Sequence, residues 1–225
     1  MQWHASPNHG PRRGGALPDM VVLHYTAMNS ARHACARLCA PEAEVSAHYL
    51  IGRNGRVTQM VQEDQRAWHA GAGRWGAVED VNSRSIGIEL SNTGHEPFAA
   101  AQMNALEYLV AGIVERWNIP AARVIGHSCM APGRKIDPGP RFDWQRLARR
   151  GLAVWPCPAD PAPRGVFRRL ANRAGFSAPV DDATLLSAVR LRFAPWRTGP
   201  LGQPDMAILT DIAHRFPVDG ADDQP

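Results

Sequence analysis

Lysine is nearly absent from this chain of 225 residues. Of its 25 basic residues, 24 are arginine, and Lys135 is the only lysine. The sequence has therefore kept lysine at a single position while it uses arginine at every other basic one. This bias singles out Lys135 as a residue to explain.

Long hydrophobic runs are also missing. No stretch approaches the roughly 20 consecutive apolar residues that a membrane-spanning helix needs, so we expect no membrane span. The first 19 residues mix charged side chains with proline and glycine, and they lack the apolar centre of a secretory signal. We therefore expect a cytoplasmic protein, with the periplasm or cell envelope as the alternative.

Disulfides and a nucleic-acid-binding surface have little support. The four cysteines follow no framework spacing, and Cys35 and Cys39 stand four residues apart in a predicted helix, so we expect reduced thiols. Residues 1–150 contain 17 basic and 13 acidic residues, and the net charge of the whole chain is only +4. Because binding to nucleic acid needs a dense Lys/Arg stripe, which this sequence lacks, we expect no such partner.

Short apolar runs alternate with helical patterns along the first two thirds of the chain. This mixed order predicts an α/β fold with a mixed β-sheet flanked by helices. A Gly52–Gly55 turn between two strand-like runs predicts a hairpin. The predicted strands are 20–25, 45–51, 56–61, 85–90 and 124–126, and the predicted helices of this part are 30–40 and 99–117.

A proline-rich segment suggests a division of the chain. Four prolines between Trp155 and Arg164 favour a stiff, extended linker. Helical patterns follow at 166–174, 181–193 and 205–216, and three short helices bury too little surface to be independent of the first part. We expect domains at 1–155 and 166–218, a linker at 156–165 and a disordered tail at 219–225.

Five residues have the chemistry of a metal-dependent hydrolase. His24 and His127 end two predicted strands, and Asp137 follows ten residues later, which gives three good zinc ligands and leaves a fourth position open. A carboxylate to accept a proton and a cation to stabilise an oxyanion complete such a site, and Glu89 and Lys135 are of these kinds. The spacing alone is weak, because two histidines about a hundred residues apart carry little motif information. Buried structural histidines are the alternative.

The sequence motifs around these residues are more specific than their spacing. The stretches VVLHYTA, VSAHYLIGRNG, AWHAG, SIGIELSN, IGHS and PGRKIDPGPRFDWQRLARRG resemble the N-acetylmuramoyl-L-alanine amidase family typified by AmpD and AmiD, over about residues 20–156. The resemblance implies a zinc ion held by His24, His127 and Asp137, with Glu89 as catalytic carboxylate and Lys135 as the group that polarises the scissile carbonyl. It also gives the single lysine a reason, because a guanidinium does not reproduce an ammonium on a flexible stem.

Other residues are assigned less specific roles. We predict that Trp68, His69 and Arg134 bind substrate, whereas His48 fits hydrogen bonding within the sheet better. The tail helices resemble the peptidoglycan-binding-like domain of AmiD relatives. The other histidines are expected on the surface without identifiable partners, namely His4, His9, His33, His95 and His214.

The resemblance implies a monomeric zinc amidase that cuts the bond between N-acetylmuramic acid and L-alanine in peptidoglycan or muropeptides, with a role in cell-wall recycling. One alternative is a peptidoglycan-recognition protein that binds muropeptide without cutting it. Another is a secreted or phage-type lytic amidase, although Ala47 stands where the phage branch has a tyrosine.

Overall fold

The computed structural model describes residues 1–219, so the predicted disordered tail lies outside the described residues except for Asp219. Helices and strands alternate through most of this range. The strands are Gln2–Trp3 (β1), His9–Pro11 (β2), Met20–Tyr25 (β3), Tyr49–Ile51 (β4), Val57–Gln59 (β5), Gln65–Ala67 (β6), Ser85–Leu90 (β7) and Val124–Gly126 (β8). The α-helices are Ala31–Leu38 (α1), Val81–Arg84 (α2), Ala100–Trp117 (α3), His127–Met130 (α4), Trp144–Arg149 (α5), Phe167–Arg173 (α6), Asp182–Phe193 (α7) and Gln203–Arg215 (α8).

Six strands form one mixed sheet in the order β1-β5-β4-β7-β3-β8. Neighbouring strands are parallel except β4 and β5, which form the predicted antiparallel hairpin with shorter strands than expected. A separate antiparallel pair joins β2 to β6. The predicted α/β class, with a mixed sheet flanked by helices, is confirmed.

Residue alternation along the central strands decides what each face of the sheet carries. Val21 and Leu23 of β3 share a buried cluster with Ile86 and Ile88 of β7 and with the long helix α3. Because successive side chains of a strand point to opposite faces, Glu89 projects from the other side. That second face carries Ser85, Gly87 and Glu89 of β7 and Met20, Val22 and His24 of β3.

Helices cover the second face at its two ends and leave the centre open. Helix α1 packs over β4 through Ala34, Leu38 and Leu50. At the other end, residues of β3, β8 and α4 share one buried cluster with α6, α7 and α8. The small residues Ser85 and Gly87 of β7 lie between these two covers, so a cleft can form there.

The three C-terminal helices pack on the sheet. They bury Phe167, Leu185, Val189 and Leu209 in the same cluster as Met130 of α4. The core is therefore continuous across the proline-rich segment, and the division of the chain at 156–165 stays a prediction. Helix α8 begins two residues earlier than its sequence pattern indicates, at Gln203. None of the helices that the structure describes at residues 1–219 is long and apolar enough to span a membrane.

Candidate active site

Three buried side chains from separate parts of the chain converge beside the central strands. His24 lies near the end of β3, His127 follows β8 as the first residue of α4, and Asp137 lies in the loop beyond. Asp137 Oδ2 is 2.9 Å from His24 Nδ1 and 3.0 Å from His127 Nδ1, and the two Nδ1 atoms are 3.0 Å apart. These three residues form a group that could hold a metal ion.

The hydrogen bond on the far side of His127 fits this use. His127 Nε2 lies 2.8 Å from the carbonyl oxygen of Ala70, and a carbonyl oxygen can only accept. Nε2 therefore carries the proton in the neutral ring, which leaves a lone pair on Nδ1 that faces the Asp137 carboxylate. A cation between these acceptor atoms would relieve the repulsion among their lone pairs. A tetrahedral zinc ion would set its ligand atoms about 3.3 Å apart, close to the spacing observed. The residues present fit a zinc ion.

The ionisation of the group fits as well. Burial and the charge of His127 lower the pKa of His24 to about 4. Burial alone would raise the pKa of Asp137, but its close contacts with the imidazoles of His127 and His24 outweigh burial and hold that pKa well below its usual range. At neutral pH His24 is therefore neutral and Asp137 ionised, which are the forms that coordinate a metal.

His69 fixes the ring of His24 from behind. His24 Nε2 lies 3.0 Å from His69 Nδ1, and His69 Nε2 lies 3.2 Å from Ser85 Oγ. The Ser85 hydroxyl donates to the carbonyl of Val81 at 2.5 Å, so its oxygen is left to accept from His69. His69 Nδ1 then accepts from His24 Nε2–H, which leaves a lone pair on His24 Nδ1, the atom that faces Asp137.

The position of His69 depends on two residues that the sequence analysis did not single out. A Cβ on Gly87 would lie 2.4 Å from His69 Cγ, so only glycine lets the imidazole lie against the strand. The Asn82 side-chain oxygen accepts from the backbone N–H groups of His69 and Ala70, at 3.0 and 2.8 Å. A glycine within a strand-like run such as SIGIEL can indicate that another group packs closely against the strand. No sequence feature indicated the role of Asn82.

Glu89 lies directly across from His24, because the two residues are paired in the parallel register of β3 and β7. Its Oε2 atom is buried and has no hydrogen-bond partner within the described residues 1–219. Burial and the negative charge of Asp137 raise the pKa of Glu89 to about 8, against the opposing charge of Lys135. An unpartnered buried carboxyl is costly for a fold, which is typical of a group kept for its chemistry.

A cleft of about 570 Å³ opens over these residues. Lys135 is exposed at its wall, and Trp68 is half-buried beside it. Arg134 also lines the cleft, but its Nη2 donates to the Ala70 carbonyl at 2.7 Å and to the Ala72 carbonyl. The cleft thus brings Trp68, His69 and Arg134 to one cavity, and their roles in substrate binding stay predictions.

His48 is buried directly before β4 and does not line the cleft. Its Nδ1 accepts from the Gly87 N–H at 3.0 Å, and its Nε2 lies 3.1 Å from the Gln65 carbonyl. The buried guanidinium of Arg12 lies 3.3 Å away and donates to the carbonyls of Glu63 and Ser85. Arg12 ties together the segments that surround the site, a role that its sequence position in a Gly/Pro-rich lead did not indicate.

Known proteins are similar to this chain in sequence and in fold. The chain is 40% identical over 183 residues to N-acetylmuramoyl-L-alanine amidase AmiD of Escherichia coli K12, which covers 74% of this chain and 63% of AmiD. It is 45% identical over 106 residues to 1,6-anhydro-N-acetylmuramyl-L-alanine amidase AmpD of Haemophilus influenzae, which covers 47% of this chain and 58% of AmpD. The chain thus spans about three fifths of the length of these two relatives.

Solved structures match nearly the whole chain. Escherichia coli AmiD, in complex with the substrate anhydro-N-acetylmuramic acid-L-Ala-D-γ-Glu-L-Lys, has a TM-score of 0.80 at 30% identity and covers 95% of this chain and 93% of that one. Pseudomonas aeruginosa AmpDH3, in complex with anhydromuramic pentapeptide, has a TM-score of 0.81 at 30% identity and covers 95% and 96%. Residues 14–140 match the Amidase_2 family, described as N-acetylmuramoyl-L-alanine amidase. Because that match spans more than half of the sequence, the chain belongs to the Amidase_2 family.

Proposed function

We propose that this protein is a zinc-dependent N-acetylmuramoyl-L-alanine amidase that hydrolyses the amide bond between N-acetylmuramic acid and L-alanine. The observation that carries the proposal is the convergence of His24, His127 and Asp137 within 3.0 Å of one another, across from Glu89. A recognition protein has no use for a buried, unpartnered carboxyl beside a metal-ligand group, whereas a hydrolase needs one as a proton acceptor.

The three ligand residues would hold the ion on the cleft floor. When bound, zinc supplies the Lewis acidity that makes water a good nucleophile near neutral pH. His24 and His127 each have one nitrogen available to hold the ion, because their other nitrogens are committed to His69 and Ala70. The first task of the protein is therefore to present three preset ligand atoms.

Glu89 moves the proton. In the ionised form it accepts a proton from the water that attacks the lactyl carbonyl carbon, and a C–O bond forms. The C–N bond then breaks, and Glu89 returns the proton to the departing amine of L-alanine. The products are a muramic acid with a free lactyl carboxylate and a peptide with a free amino terminus.

Lys135 stabilises the charge that develops on the carbonyl oxygen during this attack. It stands two residues before Asp137, so the loop that supplies the third ligand also brings an ammonium to the cleft wall. An ammonium beside the carbonyl oxygen stabilises the transition state, in which the oxygen is negative, more than the uncharged substrate. This difference lowers the barrier and accelerates the reaction.

Soluble muropeptides are the substrate class that we favour. AmiD and AmpDH3 form complexes with anhydromuramic peptides, and the cleft of about 570 Å³ has the size of a small-ligand site. In this proposal the protein acts as a monomer in the cytoplasm and recycles cell-wall fragments. The alternatives are a non-catalytic recognition protein and a secreted or phage-type amidase that acts on intact wall.

Release of peptide from purified anhydro-muropeptide and from intact sacculi tests the proposal. We expect cleavage by zinc-loaded protein, none by chelated protein, and restoration when zinc is returned. Glu89→Gln should lower kcat by about 10²- to 10⁴-fold while zinc content is unchanged, because it removes the proton acceptor but no ligand. Muropeptide binding without cleavage would favour the recognition protein, and preference for sacculi would favour wall lysis.

A further inference from the structure

A second group of metal-ligand side chains lies outside the cleft. The ligand atoms of His4, Cys35 and Cys39 all lie within 4.8 Å of one another. His4 is exposed, the two cysteines are partly buried, and both thiols are free. The amidase reaction proposed for the cleft uses none of these three residues.

Helix α1 and the residue that follows it present both thiols on one side. Cys35 lies in α1 and Cys39 caps its carboxyl end one helical turn later, so their side chains lie one above the other. Ala34 and Leu38 belong to the buried cluster under α1, and the two partly buried cysteines pack against that cluster. Cys39 Sγ lies 3.9 Å from the carbonyl oxygen of His4, so this thiol is in contact with the amino-terminal segment.

The backbone around His4 is held in place by the sheet and the helix. His4 N–H donates to the Gln59 carbonyl and Ser6 N–H donates to the Met60 carbonyl, both at 2.9 Å. The Ser6 hydroxyl donates to the Leu38 carbonyl at 2.5 Å. These hydrogen bonds fix the chain on both sides of the imidazole, so only its side-chain torsions have to adjust for it to reach the thiols.

We propose that His4, Cys35 and Cys39 form a second metal site, which takes one thiophilic divalent cation, zinc. Two thiolates and one imidazole are a preferred zinc ligand set, and three protein ligands leave a fourth position for water. Tetrahedral zinc would set these ligand atoms about 3.6 to 3.8 Å apart. Side-chain rotations of the exposed His4 and of the two partly buried cysteines would have to close the observed separations, all within 4.8 Å, to this spacing.

Occupancy of this site would brace one wall of the cleft. Ala34, Arg37 and Leu38 of α1 line the cleft, while the thiol of Cys39, at the end of this helix, contacts the amino-terminal segment. A cation shared by His4 and the two cysteines would cross-link α1 to that segment. Because the cation binds the folded chain, it would also raise resistance to unfolding.

Cobalt substitution of the full-length, reduced protein tests the site. Thiolate coordination to Co²⁺ gives an intense near-ultraviolet charge-transfer band, which the nitrogen and oxygen ligands of the cleft cannot produce. We expect this band in the wild type. Its intensity should saturate when one Co²⁺ per chain is bound at the thiolate site, and the band should disappear when Zn²⁺ is added. Cys35→Ser and Cys39→Ser should each remove at least half of the band. Cys157→Ser, which changes an exposed cysteine outside the group, should leave it intact.

Two further variants separate this site from the cleft. Asp137→Ala should lose the cleft metal and keep the charge-transfer band, so the result does not depend on amidase activity. His4→Ala, which removes an exposed side chain, should weaken cobalt binding by at least ~10-fold. Loss of a residue that only hydrogen-bonds to a metal ligand already costs this much, and His4 is proposed as a ligand itself. The proposal is overturned by absence of the band in the wild type, by a band that persists in both cysteine variants, or by unchanged affinity in His4→Ala.

Discussion

Nε2 of His24 lies 3.0 Å from Nδ1 of His69, so a residue predicted to bind substrate also determines which nitrogen of the proposed metal ligand His24 is free. Ser85 completes this arrangement, because it accepts from the far nitrogen of His69 while it donates to Val81. Changes at His69 should therefore alter zinc binding, which is not expected of a residue that only lines the substrate groove.

His69→Asn and His69→Gln should differ in zinc affinity. Asparagine places an acceptor where Nδ1 was and keeps the bond to His24, whereas glutamine reaches toward Ser85 instead. We expect His69→Gln to weaken zinc binding by about 10- to 100-fold and His69→Asn by clearly less. Competition with a coloured chelator measures this, in protein that also carries Cys35→Ser so that the cleft site alone is titrated. Equal affinities in the two variants would show that His69 does not act through His24.

Gly87→Ala should disturb the same relationship from the strand. The added methyl group would lie 2.4 Å from His69 Cγ, so the ring has to move. We expect a loss of about 1 to 3 kcal/mol in the free energy of unfolding, together with weaker zinc binding. Gly165→Ala is the matched control, because its Cβ would meet nothing within 4 Å. Urea unfolding with and without zinc measures both effects, and a Gly87 variant that behaves like the Gly165 one contradicts the prediction.

Lys135→Arg tests why the chain has a single lysine. The change keeps the positive charge but replaces a compact ammonium by a wide planar group, so the charge no longer reaches the same point. We expect kcat to fall by about 10²- to 10³-fold with unchanged zinc content. Arg164→Lys, a change at an exposed position remote from the cleft, should leave kcat unchanged. Full activity of Lys135→Arg would mean that charge alone is required.

Asp205→Asn should destabilise the C-terminal helices. Asp205 is buried and forms ion pairs with Arg190 at 2.7 Å and with Arg197 at 3.0 Å. Removal of its charge leaves the buried Arg190 without a counter-ion, although the carbonyl oxygens of Gly199 and Pro200 still accept from its guanidinium. An uncompensated buried charge costs about 3 to 5 kcal/mol. Urea unfolding at neutral pH measures the loss. Asp182→Asn is the control, because its ion pair with Arg168 is exposed and worth at most about 1 kcal/mol.

The Asp205 effect should also depend on pH. Burial alone would raise the pKa of Asp205, but hydrogen bonds from Arg190 and Arg197 outweigh it and lower the pKa from 3.8 to about 2. A lowered carboxyl pKa contributes stability that is fully present above pH 4 and is lost as the pH falls toward 2. The stability difference between wild type and Asp205→Asn should therefore shrink over that range. A difference that is constant from pH 7 to pH 2 contradicts the ion-pair explanation.

Sequence patterns predicted the central elements well. Strands β3, β7 and β8 have the bounds that their apolar runs indicate, and α1 and α3 agree within two residues. These elements are long or strongly periodic, or end at a marked residue such as Ser30. The strands β1, β2 and β6 were missed because they are short and, unlike the equally short β8, have no apolar run: their sequences are QW, HGP and QRA.

The sequence by itself determined the kinds of residue at the candidate site. Its motifs singled out His24, His127, Asp137, Glu89 and Lys135, and its composition marked the single lysine. The tertiary structure decided which atoms meet, because the parallel pairing of β3 with β7 and β8 brings residues more than a hundred positions apart within 3.0 Å.

Only the tertiary structure could place the groups behind these residues. His69 supports His24, Gly87 leaves room for the His69 ring, and the His4 carbonyl oxygen contacts the Cys39 thiol. Each of these contacts joins segments that are distant in sequence. The physical reason is that hydrogen bonds and side-chain contacts depend on distances in space, which local sequence patterns do not encode.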